Sequence, residues 1–267
     1  MRPQMLRSDA ASSGRSVTIG NIYGHGFDAP QVAALEAAGF AVRPEASVYA
    51  GSQLCRFLDF GSGPSLELIE VTDRTDYESF VPAGMTPYCP GISLLVGQGS
   101  SSALDDVARE FEELHPYRLA VPYEGATGPG WHYLNFAVPV LAGAFVWLTA
   151  LDEPRPPVER TTTHPNGVHG VIGLVFSCDD ADLTLLARLA GLPSDARPLD
   201  IGGVAVVASG AAGAGAGRFP LTSLVLEADS LDGFPAGLAS AVATGVLGRP
   251  AVRLETNPDA FDLWITA

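Results

Sequence analysis

The chain has 267 residues, enough for one large core or two smaller ones, and 47% hydrophobic against 17% charged residues is the balance of a compact globule. Acidic residues number 30 against 15 basic ones, all arginine, and a net charge of -15 repels phosphate backbones and anionic lipid. No segment approaches the roughly 18 unbroken apolar residues of a membrane span, so nucleic acid and membrane are set aside as partners and a soluble protein handling a small molecule is expected.

Residues 1–16 hold three arginines but lack the apolar run of a secretory signal, and they read as a disordered leader. Apolar residues 17–23 then form a strand. Asp28 caps a helix over 30–38, with Pro30 in its first turn, Gln31 placed for a capping box and Gly39 as its stop. Strands over 40–43, 54–60 and 65–71 follow, the last two joined by the turn Gly61-Ser62-Gly63-Pro64. The order is βαβββ. A second copy starts with a strand over 91–96 and continues in a helix over 102–114, with Leu104, Val107, Phe111 and Leu114 on one face. Strands around 131–138 and 144–149 close it. Residues 152–164, rich in Pro, Thr and charge, show no periodicity. They read as the linker between a first pair of modules, 17–151, and a second, shortened pair, 165–267.

Beyond the linker, a strand over 170–176, a helix capped by Asp180 and ended at Gly191, and a hairpin over 199–207 repeat the first module, which is a fold-level signal. The Gly- and Ala-rich stretch 210–217 leads to a fourth strand-helix unit, and a closing hairpin ends over 261–266. Cys55, Cys89 and Cys178 are an odd number at wide spacing, suited to neither a disulfide framework nor a metal knuckle. Buried thiols in a reducing, cytoplasmic compartment are expected. Absent lysine beside abundant Ala and Gly points to a high-GC bacterial coding sequence.

The first strand, the helix ending in Leu35-Glu36-Ala37-Ala38-Gly39-Phe40 and the hairpin closing on Leu66-Glu67-Leu68-Ile69 together resemble the vicinal oxygen chelate superfamily, which includes glyoxalases, bleomycin-resistance proteins and extradiol dioxygenases. The segment His164-Pro165-Asn166-Gly167-Val168-His169-Gly170 resembles the mid-chain signature of its glyoxalase-like domain family. The likeness covers about residues 17–208 and rests on the order of elements. It implies an α+β fold in which tandem βαβββ modules form cupped mixed sheets around the ligand. In metal-using members of the superfamily, a His or Gln on a module's first strand and a Glu on its last hold a divalent ion. The resemblance further implies a lyase, isomerase or ring-modifying enzyme acting on a small oxygenated metabolite. The alternative is a metal-free protein of secondary metabolism or resistance that binds and sequesters a small molecule. Either is expected as a monomer or homodimer.

Glu67 stands where that last-strand carboxylate would be, and between Leu66 and Leu68 it must point away from both. It reads as a base or metal ligand, or with equal weight as the ion-pair partner of Arg56, its diagonal neighbour if Phe60 lies opposite Ser65. The aligned positions in the other modules are Val146, Ala205 and Asp262, so carboxylates survive only in the outer modules. The first-strand ligand position falls near Gly20 or Asn21, and near Ile172 in the third module, so the usual imidazoles are missing. His25, between Gly24 and Gly26, suits a loop at the rim of the cup as a displaced metal ligand or general base. His132 is a second candidate partner for Glu67, and Tyr23, Arg56, Trp131, Tyr133 and Trp147 are candidate substrate-binding residues. His164 and His169 read as turn residues and His115 as a helix terminus. No pair has the tight spacing of a zinc motif, so one divalent metal and none stay equal alternatives. Neither a nucleophile elbow nor a phosphate loop is present.

Overall fold

The computed structural model describes residues 15–43, 47–49, 52–80, 88–98, 102–119, 131–141, 143–151, 163–209, 221–232, 234, 239–246, 248–254 and 261–267. Strand β1 (Val17–His25) leads into helix α1 (Ala29–Ala37), where the Asp28 carboxylate accepts from the Gln31 N–H at 3.3 Å and Val32 and Leu35 are buried. Strands β2 (Ser47–Tyr49), β3 (Gln53–Leu58) and β4 (Ser65–Val71) complete a βαβββ unit. Helix α2 (Arg74–Phe80) leads to a second unit: β5 (Gly91–Gln98), α3 (Ser102–Glu110), β6 (Pro116–Leu119), β7 (Trp131–Phe136) and β8 (Phe145–Leu151). The third unit holds β9 (Val168–Phe176), α4 (Asp180–Leu189), β10 (Leu199–Ile201) and β11 (Val204–Ala208). Strands β12 (Leu221–Ala228), β13 (Ala239–Val246), β14 (Arg249–Leu254) and β15 (Asp262–Thr266) make the fourth.

These strands form two mixed, cupped sheets, ordered β2-β3-β4-β1-β5-β8-β7-β6 and β10-β11-β9-β12-β15-β14-β13. In the first, β1 and β5 pair antiparallel at the centre, and each pairs parallel with the last strand of its own unit, β4 or β8. The second repeats this around β9 and β12. Helices α1 and α3 lie on one face of the first sheet. Ile22, Leu66, Leu68, Ile92, Leu94 and Leu148 bury there with Leu35, Leu104 and Val107, because alternation along a strand sends every second side chain to the same side.

Several expected bounds move. Residues 40–43 are not a strand, and the short β2 lies further on, at 47–49. Helix α3 ends at Glu110 and a 3-10 turn over Glu112–Leu114 continues it, which still buries Leu104, Val107, Phe111 and Leu114. Strand β6 begins at Pro116, the residue expected only to stop a helix, and it can do so because β6 is a sheet edge. Helix α2 carried no apolar periodicity to announce it. Among the described residues the fourth unit has no helix. Of the linker, 152–162 lies outside the described residues, as do 1–14 of the leader and 210–217.

The halves meet along a seam built twice. The turn at 163–167 lies against the end of α1. Asn166 donates through Nδ2 to the Ala38 carbonyl at 2.9 Å and through its backbone N–H to that of Gly39 at 3.2 Å. His164, packed between the Phe40 and Phe60 rings, accepts the Ala41 N–H through Nδ1 at 2.9 Å. Carbonyls left free at a helix end are thus bonded by the other half. Reciprocally, Arg15 donates to the Leu189 carbonyl at the end of α4 at 3.1 Å. Each hairpin turn also abuts the first strand of the opposite half, Gly63 against Val171 and Gly202 against Thr18.

Candidate functional site

Opposite the helix-covered face, the first sheet turns Asn21, Tyr23, Glu67, Phe57, Ser93, Phe145, Trp147 and Tyr133 outward, in the alternate positions to the core residues. Glu67 stands beside Tyr23 on β1 and Phe57 on β3. Asn21 donates from Nδ2 to Glu67 Oε2 at 2.5 Å, and the Cys55 thiol is a second hydrogen-bond partner of the carboxylate. Protein encloses Glu67 on most sides, yet the side chain keeps part of its contact with water, as expected at the floor of an open concavity. Desolvation pushes its pKa up, partly offset by Cys55, Asn21 and the Arg43 charge. The carboxyl is therefore a readier proton acceptor than an ordinary glutamate.

Arg43, rather than Arg56, is the arginine near this carboxyl. It lies over the Phe57 ring at 4.5 Å and bonds Asp59, whose other oxygen accepts from Ser65 Oγ at 2.7 Å. Leu58, not Phe60, sets the hairpin register by facing Leu66, so Phe57 meets Glu67. That register differs by one residue from the expected one and sends Arg56 to the helix-side face, where it pairs with Glu70 at 3.0 Å. The repeat shifts by one residue in the same way. Ile22 faces Leu66 as Ile92 faces Val146, so the residue equivalent to Glu67 is Trp147, not Val146.

Tyr23, Phe145 and Trp147 form an aromatic wall beside Glu67, with ring centroids 5.2 Å apart for Tyr23 and Trp147 and 5.3 Å for Phe145 and Trp147. Desolvation, with Cys89, Tyr77 and Glu67 nearby, raises the Tyr23 pKa, so its hydroxyl keeps its proton. His25 belongs to β1 itself, not to a rim loop. It is 5% exposed, its ring meets Tyr23 edge-on, and its Nε2 is 2.8 Å from the Tyr77 hydroxyl. Burial lowers its pKa to about 4, which keeps it neutral. With Nε2 held by Tyr77, His25 supports the site wall and does not suit the metal-ligand or base role. His132 shares the helix-side face of β7 with Leu134, across the sheet from Glu67, so the expected pairing with Glu67 does not form. Tyr133 and Trp147 lie on the Glu67 face; Trp131 opens β7, and its side chain is outside the described residues. Sequence reasoning does not single out Cys55, Phe57 and Arg43, and it reaches Asn21 only as a first-strand ligand position that lacks an imidazole.

A divalent ion of the kind the resemblance implies does not fit this donor set. Among the described residues no three His, Cys, Asp or Glu side chains stand close enough to hold a metal ion. Around Glu67 the neighbours are an amide, a thiol and a protonated phenol, while Asp262 is paired with Arg253 at 2.7 Å in the other sheet.

No family model and no curated protein matches the chain. Solved structures do. Homoprotocatechuate 2,3-dioxygenase from Arthrobacter globiformis superposes with a TM-score of 0.59 at 11% identity, over 97% of this chain and 83% of that one. For 2,2',3-trihydroxybiphenyl 1,2-dioxygenase from Sphingomonas wittichii strain RW1 the values are 0.55, 15%, 94% and 90%. The Mn(II)-bound glyoxalase from Novosphingobium aromaticivorans gives 0.54, 12%, 94% and 82%. The chain has the vicinal oxygen chelate fold. Identities this low carry the vicinal oxygen chelate architecture alone, and the chemistry must come from the residues around Glu67. Among the described residues no helix is long and apolar enough to cross a membrane.

Proposed function

We propose that the protein is an acid-base enzyme of the vicinal oxygen chelate fold, acting on a small oxygenated metabolite in the cup of its first sheet, with Glu67 as the base. The observation that carries this reading is the Glu67 carboxyl, its proton affinity raised by burial and one oxygen held by Asn21, at the floor of an aromatic-walled face. With Oε2 fixed by the amide, Oε1 is the atom that takes a proton from the carbon beside a substrate carbonyl. The electron pair left on that carbon moves to the carbonyl oxygen, giving an enolate. The protonated Tyr23 hydroxyl is the donor on this wall suited to hold that oxygen. For a substrate with a hydroxyl on the deprotonated carbon, passage of that hydroxyl proton to the enolate oxygen and return of the abstracted proton from Glu67 to the former carbonyl carbon complete an isomerisation, whereas collapse of the enolate with expulsion of a leaving group from the carbon beta to the carbonyl completes a lyase reaction.

Exchange of the proton beside the carbonyl with deuterated water, followed by NMR on a panel of hydroxy-ketones and hydroxy-aldehydes, tests the reading. Glu67→Gln should lose roughly 10²–10⁴-fold of the exchange rate of any compound the wild type labels. Undiminished exchange by that variant would sink the proposal. A second reading, a metal-free binder of aromatic molecules, is favoured by the Tyr23, Phe145 and Trp147 wall. Thermal stabilisation by an aromatic compound that is never labelled supports the binder over the enzyme.

A further inference from the structure

Asn21, Ser93, Trp147, Asn135 and Tyr117 lie in one row across β1, β5, β8, β7 and β6. Asn21 is register-paired with Ser93, Ser93 with Trp147 and Tyr117 with Asn135; Asn135 is one residue beyond the Leu134 and Leu148 pair. All five side chains point to the face that carries Glu67. Buried polar side chains cost free energy unless they are bonded. Two parts of the row meet that demand internally: the Ser93 and Thr149 hydroxyls are 2.7 Å apart, and the Asn21 amide nitrogen bonds Glu67.

Three buried atoms are left over: Asn21 Oδ1, Asn135 Nδ2 and the Tyr117 hydroxyl. Asn135 is only 1% exposed, so its amide has no bulk water to turn to. The unmet groups differ in kind along the row. At the Glu67 end an acceptor lacks a donor, and at the β7-β6 end an amide and a hydroxyl lack an acceptor. Trp147 lies between them, its ring against Tyr23 and Phe145. Asn21 and Asn135 are three strand spacings apart, about 14 Å at the backbone and less at the side-chain tips of a cupped sheet.

We propose that this row recognises one elongated aromatic ligand, with a hydroxyl given to Asn21 Oδ1 at the Glu67 end, ring surface on Trp147, and a carbonyl oxygen received by Asn135 and Tyr117 at the other. The proposal rests on the reading of the Glu67 face as a ligand site and names the class of molecule that fills it. Asn21 and Asn135 are specificity-determining residues, since each is left unpaired by an analogue lacking its group.

Calorimetric titration of the full chain tests this with three probes: an acetyl-hydroxybiphenyl substituted at its two far ends, its methoxy analogue, and the single-ring para-hydroxyacetophenone. The hydroxybiphenyl should bind roughly tenfold or more tightly than either of the others. Asn135→Ala and Tyr117→Phe should weaken both biphenyls, and Asn21→Ala the hydroxy form alone, with unfolding curves confirming that each variant folds. Equal binding of the three probes, or unchanged binding by the Asn135 and Tyr117 variants, overturns the proposal and leaves an ordered water as the partner of those atoms. Probe binding needs no turnover. Intact selectivity with a Glu67→Gln enzyme that still exchanges protons would refute the catalytic reading while leaving this one standing.

Discussion

The buried ionisable residues of the cup push the pH dependence of folding in opposite directions. For Glu67 the folded pKa lies above the ordinary 4.5, so between pH 4.5 and that raised value the native state holds a proton that the unfolded chain releases. Its contribution is fully present below pH 4.5 and is lost as pH rises through the raised value. Glu67→Gln should therefore raise the melting temperature at neutral pH and give no gain below pH 4.5, a comparison calorimetry can make directly. His25 works the other way. Its pKa falls from 6.5 to about 4, so its contribution is present above pH 6.5 and is lost as pH falls toward 4. The shift corresponds to about 3 kcal/mol, and His164, also lowered by burial, adds to the loss. Urea titrations across this window should show a flatter acid limb for His25→Gln and for His164→Gln than for the wild type. The sequence displayed both histidines, but their titration follows from burial by residues distant in the chain, such as Tyr77 beside His25 and Phe60 beside His164.

At the scale of elements, the end of α1 shows how a local signal acquires a long-range role. Gly39 was legible as a helix stop, and it does adopt a left-handed φ of +83°. A Cβ there would also stand 2.9 Å from Asn166 Cβ, in the other half of the chain. Gly39→Ala should thus cost more than the roughly 1 kcal/mol of the backbone term alone. Asn166→Ala should cost about 1–3 kcal/mol by leaving the Ala38 carbonyl unbonded. Because the residues touch, the double variant should be less destabilised than the sum of the two singles, measured as a cycle in urea. The β3-β4 hairpin shows the reverse case. Alternation identifies Glu67 as facing away from Leu66 and Leu68, but the turn residues do not encode the register of the partner strand, and a shift of one residue exchanges Phe57 for Arg56 beside the carboxyl.

Across the whole molecule, a single apolar core includes residues of both sheets, and the reciprocal seam bonds each half to the other's helix end. Unfolding followed by Trp fluorescence and by far-UV circular dichroism should give coincident transitions, whereas separated midpoints would show that the halves melt independently. The donor set around Glu67 bears on the metal question at the same scale. Prolonged dialysis against a chelator should leave the melting temperature and probe binding unchanged, and a loss restored by Mn(II) or Fe(II) would contradict that expectation.

What the sequence determined by itself was the order and repetition of elements, because strand alternation, helix caps and turn glycines are local codes. The family resemblance carried by that order implied the α+β class and the cupped, repeated sheets, and strand alternation placed Glu67 on the face opposite Leu66 and Leu68. Tertiary structure decided which residues share that face with Glu67. Strand register, set by packing between distant segments, brought Asn21, Cys55 and Arg43 to the carboxyl and sent Arg56 and His132 to the other side of the sheet. The row from Asn21 to Tyr117 was equally hidden, because it crosses five strands separated by loops, and no linear spacing encodes which residues of different strands come to lie side by side.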